Sequence, residues 1–72
     1  MDMRKLVGRQ VRRARLAKGL TQEELSARTG LTQHYISVLE NGRRNPTILT
    51  LHELAQALGV SHVDLVQPDD EA

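Results

Sequence analysis

An all-helical domain is the fold class this sequence predicts, and three observations carry it. Apolar residues recur every third or fourth position through most of the chain, the period of helices rather than strands. The ends of those periodic stretches carry Thr, Ser, Pro and Gly, the residues that start and stop helices. The core has to be aliphatic, because 72 residues include no Phe or Trp and a single Tyr. A chain of this size buries only about 60% of the surface its unfolded form exposes, so a single domain is expected.

The first helix reads from "MRKLVGRQVRRARLAKG", residues 3–19. At about 100° per residue, Leu6, Val7, Val11, Ala14 and Ala17 share one face, and Lys5, Arg9, Arg12 and Arg13 share the other. Arg15 falls on the border of the apolar face, where an unpaired charge would be costly to bury. Leu16 lands on the basic face, against the pattern. Charge is unevenly placed: the first 18 residues hold seven of the ten Lys and Arg against one Asp.

"LTQEELSARTG" predicts a second helix with clear punctuation. Thr21 and Glu24 have the spacing of a capping box, in which hydroxyl and carboxylate each satisfy an orphan N–H. Gly30 supplies the sharp stop. Thr32 then caps a third helix running from Gln33 to about Asn41, with Ile36, Leu39 and part of Tyr35 facing inward. The fourth helix, "TILTLHELAQALG", begins near Thr47 behind Pro46 and ends at Gly59. Ile48, Leu51, Leu54, Ala55 and Leu58 form its core stripe, while Leu49 points elsewhere. A last short helix starts at Ser61, with Asp64 completing a second capping box, and Pro68 ends the order. These boundaries give one domain over residues 1–67 and a short acidic, disordered tail over 68–72.

Two helices joined by a three-residue turn containing Gly form a helix–turn–helix, whose second helix enters the DNA major groove. Close packing explains the residues between Gln22 and Leu39. A small side chain at Ser26 lets the β-branched Ile36 approach, and Gly30 avoids the penalty of a left-handed conformation. Leu25, Leu31 and Leu39 supply the apolar contacts.

The "TQEELS" opening, the "YISVLENGRRNP" run and the "LHELAQALGVS" close together resemble the lambda-repressor-like, Cro/Xre-type DNA-binding domain, over about residues 6–66. The resemblance implies a compact five-helix domain that binds a palindromic or pseudo-palindromic operator as a homodimer and regulates transcription. With no further domain in view, the chain is similar to small stand-alone regulators: phage Cro-like proteins, restriction–modification controllers or helix–turn–helix antitoxins. By the same resemblance, Gln22 contacts a phosphate and braces the recognition helix. Thr32, Gln33, His34, Ser37 and Val38 occupy the outward face of that helix. Gln33 suits adenine, whose N6 and N7 it can pair bidentately, and Val38 suits a thymine methyl. Tyr35 stays open between a hydroxyl aimed at DNA and simple core packing. Asn41, Arg43, Arg44 and Asn45 follow in the loop that grips the DNA backbone, where the planar Arg fork suits phosphate. Arg15 is expected to pair with Glu40, fixing the angle between the first and third helices. Because the first helix lies behind the reading unit in this family, Lys5, Arg9 and Arg12 read as a solvated face. Leu49, Val63 and Val66 either form the homodimer interface or complete a small monomer's core.

Other classes are disfavoured. With no cysteine there is neither a disulfide nor a thiolate ligand or nucleophile, which suits a reducing, intracellular setting. The spacing of His34, His52 and His62 resembles no metal motif. No acid pair or phosphate-cradling Gly loop suggests an enzyme, and no cofactor is expected. No apolar run approaches the roughly 20 residues that span a bilayer, and no secretory signal precedes the domain. The expected setting is therefore the cytoplasm, bacterial or phage-type and associated with the nucleoid. The alternative reading is an antitoxin or adapter whose main partner is another protein, a toxin or part of the transcription machinery.

Overall fold

A computed structural model describes residues 1–70 of the chain. Five helices are present among the described residues: α1 Met3–Ala17, α2 Gln22–Thr29, α3 Gln33–Glu40, α4 Ile48–Leu58 and α5 His62–Val66. Each begins at a side-chain cap. Asp2 accepts from the Arg4 and Lys5 N–H groups at the head of α1, and Thr21, Thr32, Thr47 and Ser61 cap the others. The reciprocal bonds of a capping box form at both Thr21–Glu24 and Ser61–Asp64. A cap satisfies backbone donors that a short helix cannot satisfy itself, which matters most for elements of eight residues or fewer.

The core is aliphatic. Leu6, Val11, Leu25, Ile36, Leu39 and Leu54 are completely buried, and Leu65 brings α5 onto the same cluster. Burying each such side chain contributes about 1.5–3 kcal/mol. α1 packs against α3 and α5, while α2 lies against α3 and α4. The turn between α2 and α3 is stitched locally. Gly30 takes a left-handed φ of 79°, the Ser26 hydroxyl donates to the Leu31 carbonyl, and the Thr29 hydroxyl donates to the Leu25 carbonyl while accepting from the Leu31 N–H.

α1 can sit against the end of α3 only because residue 8 is Gly. A Cβ there would lie 2.5 Å from the Leu39 carbonyl oxygen and 2.8 Å from that of Glu40. The contact fixes where α3 points, so it belongs to the site as much as to the core.

Four expectations need correction. Ile48 is not part of the core stripe: it is the first residue of α4 and 77% exposed, because the helix meets the core only from Leu51 onward. Ala17 is exposed at the fraying end of α1, and Leu20 beyond it is buried instead. Arg9 is not simply solvated, since its guanidinium makes paired hydrogen bonds of 3.0 and 2.9 Å to Asp69. Arg13 adds a bond of 3.2 Å to the same carboxylate, and Gln10 donates to the Gln67 carbonyl at 2.7 Å. Pro68 does end helical order, but Asp69 is held against α1 with its side chain 6% exposed, so no disordered tail begins at residue 68. Glu71 and Ala72, the rest of that acidic stretch, lie outside the described residues.

Candidate nucleic-acid interface

Three elements meet at one carboxylate. Glu40, at the last turn of α3, accepts from Arg15 Nε at 2.7 Å and Nη2 at 2.9 Å. Gln22, the first residue of α2, donates its Nε2 to Glu40 Oε1 at 3.2 Å. The remaining Arg15 nitrogen donates to the Leu20 carbonyl at 2.8 Å. Both charged side chains are nearly buried, at 9% and 3% exposure. The hydrogen bond from Glu40 raises the Arg15 guanidinium above its usual range, outweighing the burial that opposes it. A bidentate Arg–carboxylate pair fixes direction as well as distance. The border Arg of the sequence thus has its partner, and the angle of α3 is set from both sides. Replacing one partner alone would leave the other charge buried and unpaired, a loss of about 3–5 kcal/mol.

With Ile36 and Leu39 turned into the core, α3 presents its other face. Thr32, Gln33 and His34 are exposed, while Ser37 and Val38 are half-buried one turn further on. The Thr32 hydroxyl oxygen is already engaged as the cap, accepting from the Tyr35 N–H at 3.0 Å. Tyr35 is half-buried, packed on the core at one side. The Arg44 guanidinium lies 5.2 Å from its ring centroid at another, within the range of a cation–π contact. The ring therefore packs inward, as the core-packing reading expects, and also lies beside a cation.

Beyond α3, the Gly42 N–H donates to the Leu39 carbonyl and the Arg43 N–H to the Val38 carbonyl, closing the helix end. The Asn41 amide donates to the Ser37 carbonyl at 2.9 Å, so this side chain serves the helix terminus directly. Arg43, Arg44 and Asn45 are exposed. Polar groups able to read base edges thus lie along one ridge, and two arginines follow it in the adjoining loop. Polar side chains beside loop cations are an arrangement suited to sequence-specific duplex binding.

The residues expected at a dimer interface divide. Leu49 is 72% exposed and Val63 is exposed on α5, whereas Val66 is half-buried and packs on the core. His52 and His62, distant in sequence, meet edge to face with ring centroids 6.3 Å apart. Among the described residues no group of three or more His, Cys, Asp or Glu could hold a metal ion. No described helix is long and apolar enough to cross a membrane. Sequence reasoning missed Gly8, Thr29 and the Gln22–Glu40 bond. Gly8 was visible only as an unexplained Gly inside a helix; the other two carried no signal of their own.

Comparison with known proteins adds to this geometry. A helix-turn-helix family model matches residues 11–65. An uncharacterized HTH-type transcriptional regulator of Sinorhizobium fredii, y4dJ, is 69% identical over 71 residues, covering 99% of this chain and 92% of that protein. The hypothetical transcription factor NHTF from Neisseria superposes with a TM-score of 0.90 at 36% identity, over 97% of this chain and 80% of that one. The restriction–modification controller protein C.Esp1396I, solved as a tetramer in complex with its natural 35 base-pair operator, gives a TM-score of 0.81 at 35% identity. That match covers 90% of this chain and 86% of the controller.

Proposed function

The chain belongs to the helix-turn-helix family, and from that premise we propose how it works as a transcriptional regulator: a homodimer sets α3 of each copy into the major groove of a two-fold operator. The observation that carries this reading is the exposed pair Gln33 and His34 on a helix whose direction is fixed by the Arg15–Glu40–Gln22 network. A reader helix is useful only if its side chains arrive at base edges in one orientation, and a buried ion pair at its far end provides that. Gln33 and His34 read bases, with Thr32, Ser37 and Val38 beside them. Arg43, Arg44 and Asn45 hold phosphates, with Gln22 and Asn41 at the two ends of the helix–turn–helix. Tyr35 positions Arg44. Backbone contacts of this kind position the protein, and base contacts specify the sequence.

A controller that acts on an operator as a tetramer supports an oligomeric mode here, and a domain with one short reading helix gains specificity by pairing two half-sites. Residues 1–67 are the DNA-binding unit. Regulation without catalysis, in the cytoplasm of a bacterial cell, is part of the same reading.

Selection of bound duplexes from a random pool at near-physiological salt tests it. The expected product is an inverted repeat with half-sites about 10–10.5 base pairs apart. The Gln33→Ala, His34→Ala double variant is expected to lose that enrichment while keeping its thermal melt. A well-folded chain that enriches no sequence would overturn the reading and turn attention to a protein partner.

A further inference from the structure

We propose that the first turn of α1 is an additional DNA-backbone contact, with Arg4 and Lys5 flanking the loop that carries Arg43 and Arg44. The inference rests on the reading of α3 as the major-groove helix and adds residues that the sequence pattern alone assigns to a solvated face or leaves without a role. Two separate observations support it. The stem of Lys5 packs on Gly42: a Cβ added at residue 42 would fall 2.8 Å from Lys5 Cγ and 3.0 Å from its Cα. Gly42 is buried by that packing, while Lys5 itself stays exposed. Arg4 approaches the same loop from another side and lines a groove with Asn45 and Pro46. The loop that carries the exposed arginines therefore has two further cations next to it, Lys5 through the stem packed on Gly42 and Arg4 across a shared groove.

Three of the α1 arginines are already engaged within the protein. Arg15 is consumed by Glu40 and the Leu20 carbonyl, and Arg9 and Arg13 hold Asp69. Lys5 makes no ion pair with a carboxylate among the described residues. Among the described residues the one carboxylate Arg4 meets is the capping Asp2, at 3.6 Å with both side chains substantially exposed, and an exposed pair of that kind competes weakly with phosphate. Further along the helix Arg9, Arg13 and Arg15 are spent on the protein and Arg12 is exposed away from the loop, whereas the first turn offers both its cations outward beside it. Long Lys and Arg stems lie along a surface while their charged heads reach beyond it, so a stem held on Gly42 suits contact with a phosphate next to those bound by the loop.

Neutralising a phosphate carries no sequence information but releases counterions, steepening the salt dependence by about 0.9 in log–log slope per phosphate. The test uses the full chain, the duplex enriched by selection and a scrambled duplex of the same composition, with affinities read by fluorescence anisotropy over a salt series. Lys5→Gln and Arg4→Gln keep much of each stem and remove the charge. Each is expected to reduce the slope by about 0.9 for the one phosphate it no longer neutralises, on both duplexes, with the preference between them unchanged. Arg12→Gln, exposed but about two turns further along α1, is expected to keep the native slope. Lys5→Arg should restore it, which separates the effect of charge from that of packing. Native slopes in both Gln variants on an enriched duplex would overturn this inference alone. If the native chain enriches no duplex, the reading of α3 fails and this inference falls with it.

Discussion

A single hydrogen atom at position 8 decides how closely α1 crosses the end of α3. The neighbours of that atom are two backbone carbonyls rather than a flexible side chain, so little can yield. Ala would improve helix propensity by about 1 kcal/mol, whereas overpacking against backbone costs about 1–3 kcal/mol. Gly8→Ala is therefore expected to lower the urea midpoint at unchanged slope, and to weaken operator binding because α3 must shift. A raised midpoint would mean that α1 withdraws without cost. The sequence showed Gly8 inside a helix but held no sign of what faced it, since the carbonyls belong to residues more than thirty positions away. Arg15 was more legible. A guanidinium on the edge of an apolar face demands a partner by itself, although the family resemblance, and not the residue pattern, supplied Glu40. Ile48 misled because periodicity alone cannot tell the first turn of a helix from the turns that reach the core.

At the scale of elements, the helix starts from Thr21 onward were legible because caps are local. Each depends on residues within four positions, and no distant contact intervenes. α2 shows why the caps matter: at eight residues it is well short of the roughly 12–15 at which an isolated helix becomes even marginal. Thr21→Ala is expected to cost about 1 kcal/mol, seen as a lower midpoint in chemical denaturation. The partner carboxylate adds a pH dependence. Hydrogen bonds from the Thr21 backbone N–H and then its hydroxyl hold Glu24 below the ordinary value of 4.5, with a smaller contribution from Arg28 and against a small opposing effect of burial. A carboxylate depressed in the folded state contributes stability that is fully present above its unfolded value. That contribution is lost as pH falls through the folded one. Stability followed from pH 7 downward should thus decline less steeply below about 4.5 in Glu24→Gln than in the native chain. Parallel acid limbs would show that the box forms equally in the unfolded ensemble. The Asp69 clamp, by contrast, was illegible, because a carboxylate just past a helix-ending Pro looks like solvent-exposed tail until α1 is folded beside it.

The whole molecule leaves an apolar surface that its own core does not use. Ile48 and Leu49 at the start of α4 are 77% and 72% exposed, and Val63 on α5 is 51% exposed. Scattered apolar residues need no explanation, but these three belong to the only two elements free of proposed DNA contacts. Val66, expected among them, instead fills the seam between α5 and the core. Leu49 and Val63 thus remain as candidates for a self-complementary contact, in which each copy presents the same patch to the other. Leu49→Asp with Val63→Asp is expected to shift sedimentation from dimer to monomer at micromolar concentration. The melting behaviour at low concentration should change by no more than about 0.5 kcal/mol, because neither side chain supports the monomer's core. Operator affinity should fall toward that of one half-site while base preference within the half-site persists, since α3 and its ion pair are untouched. A variant that still sediments as a dimer would place the interface elsewhere. One that melts early would assign these residues to the core after all. Loss of pairing with folding and half-site preference intact is the outcome that separates assembly from reading, and it would make α4 and α5 the assembly layer behind a reading layer of α2 and α3.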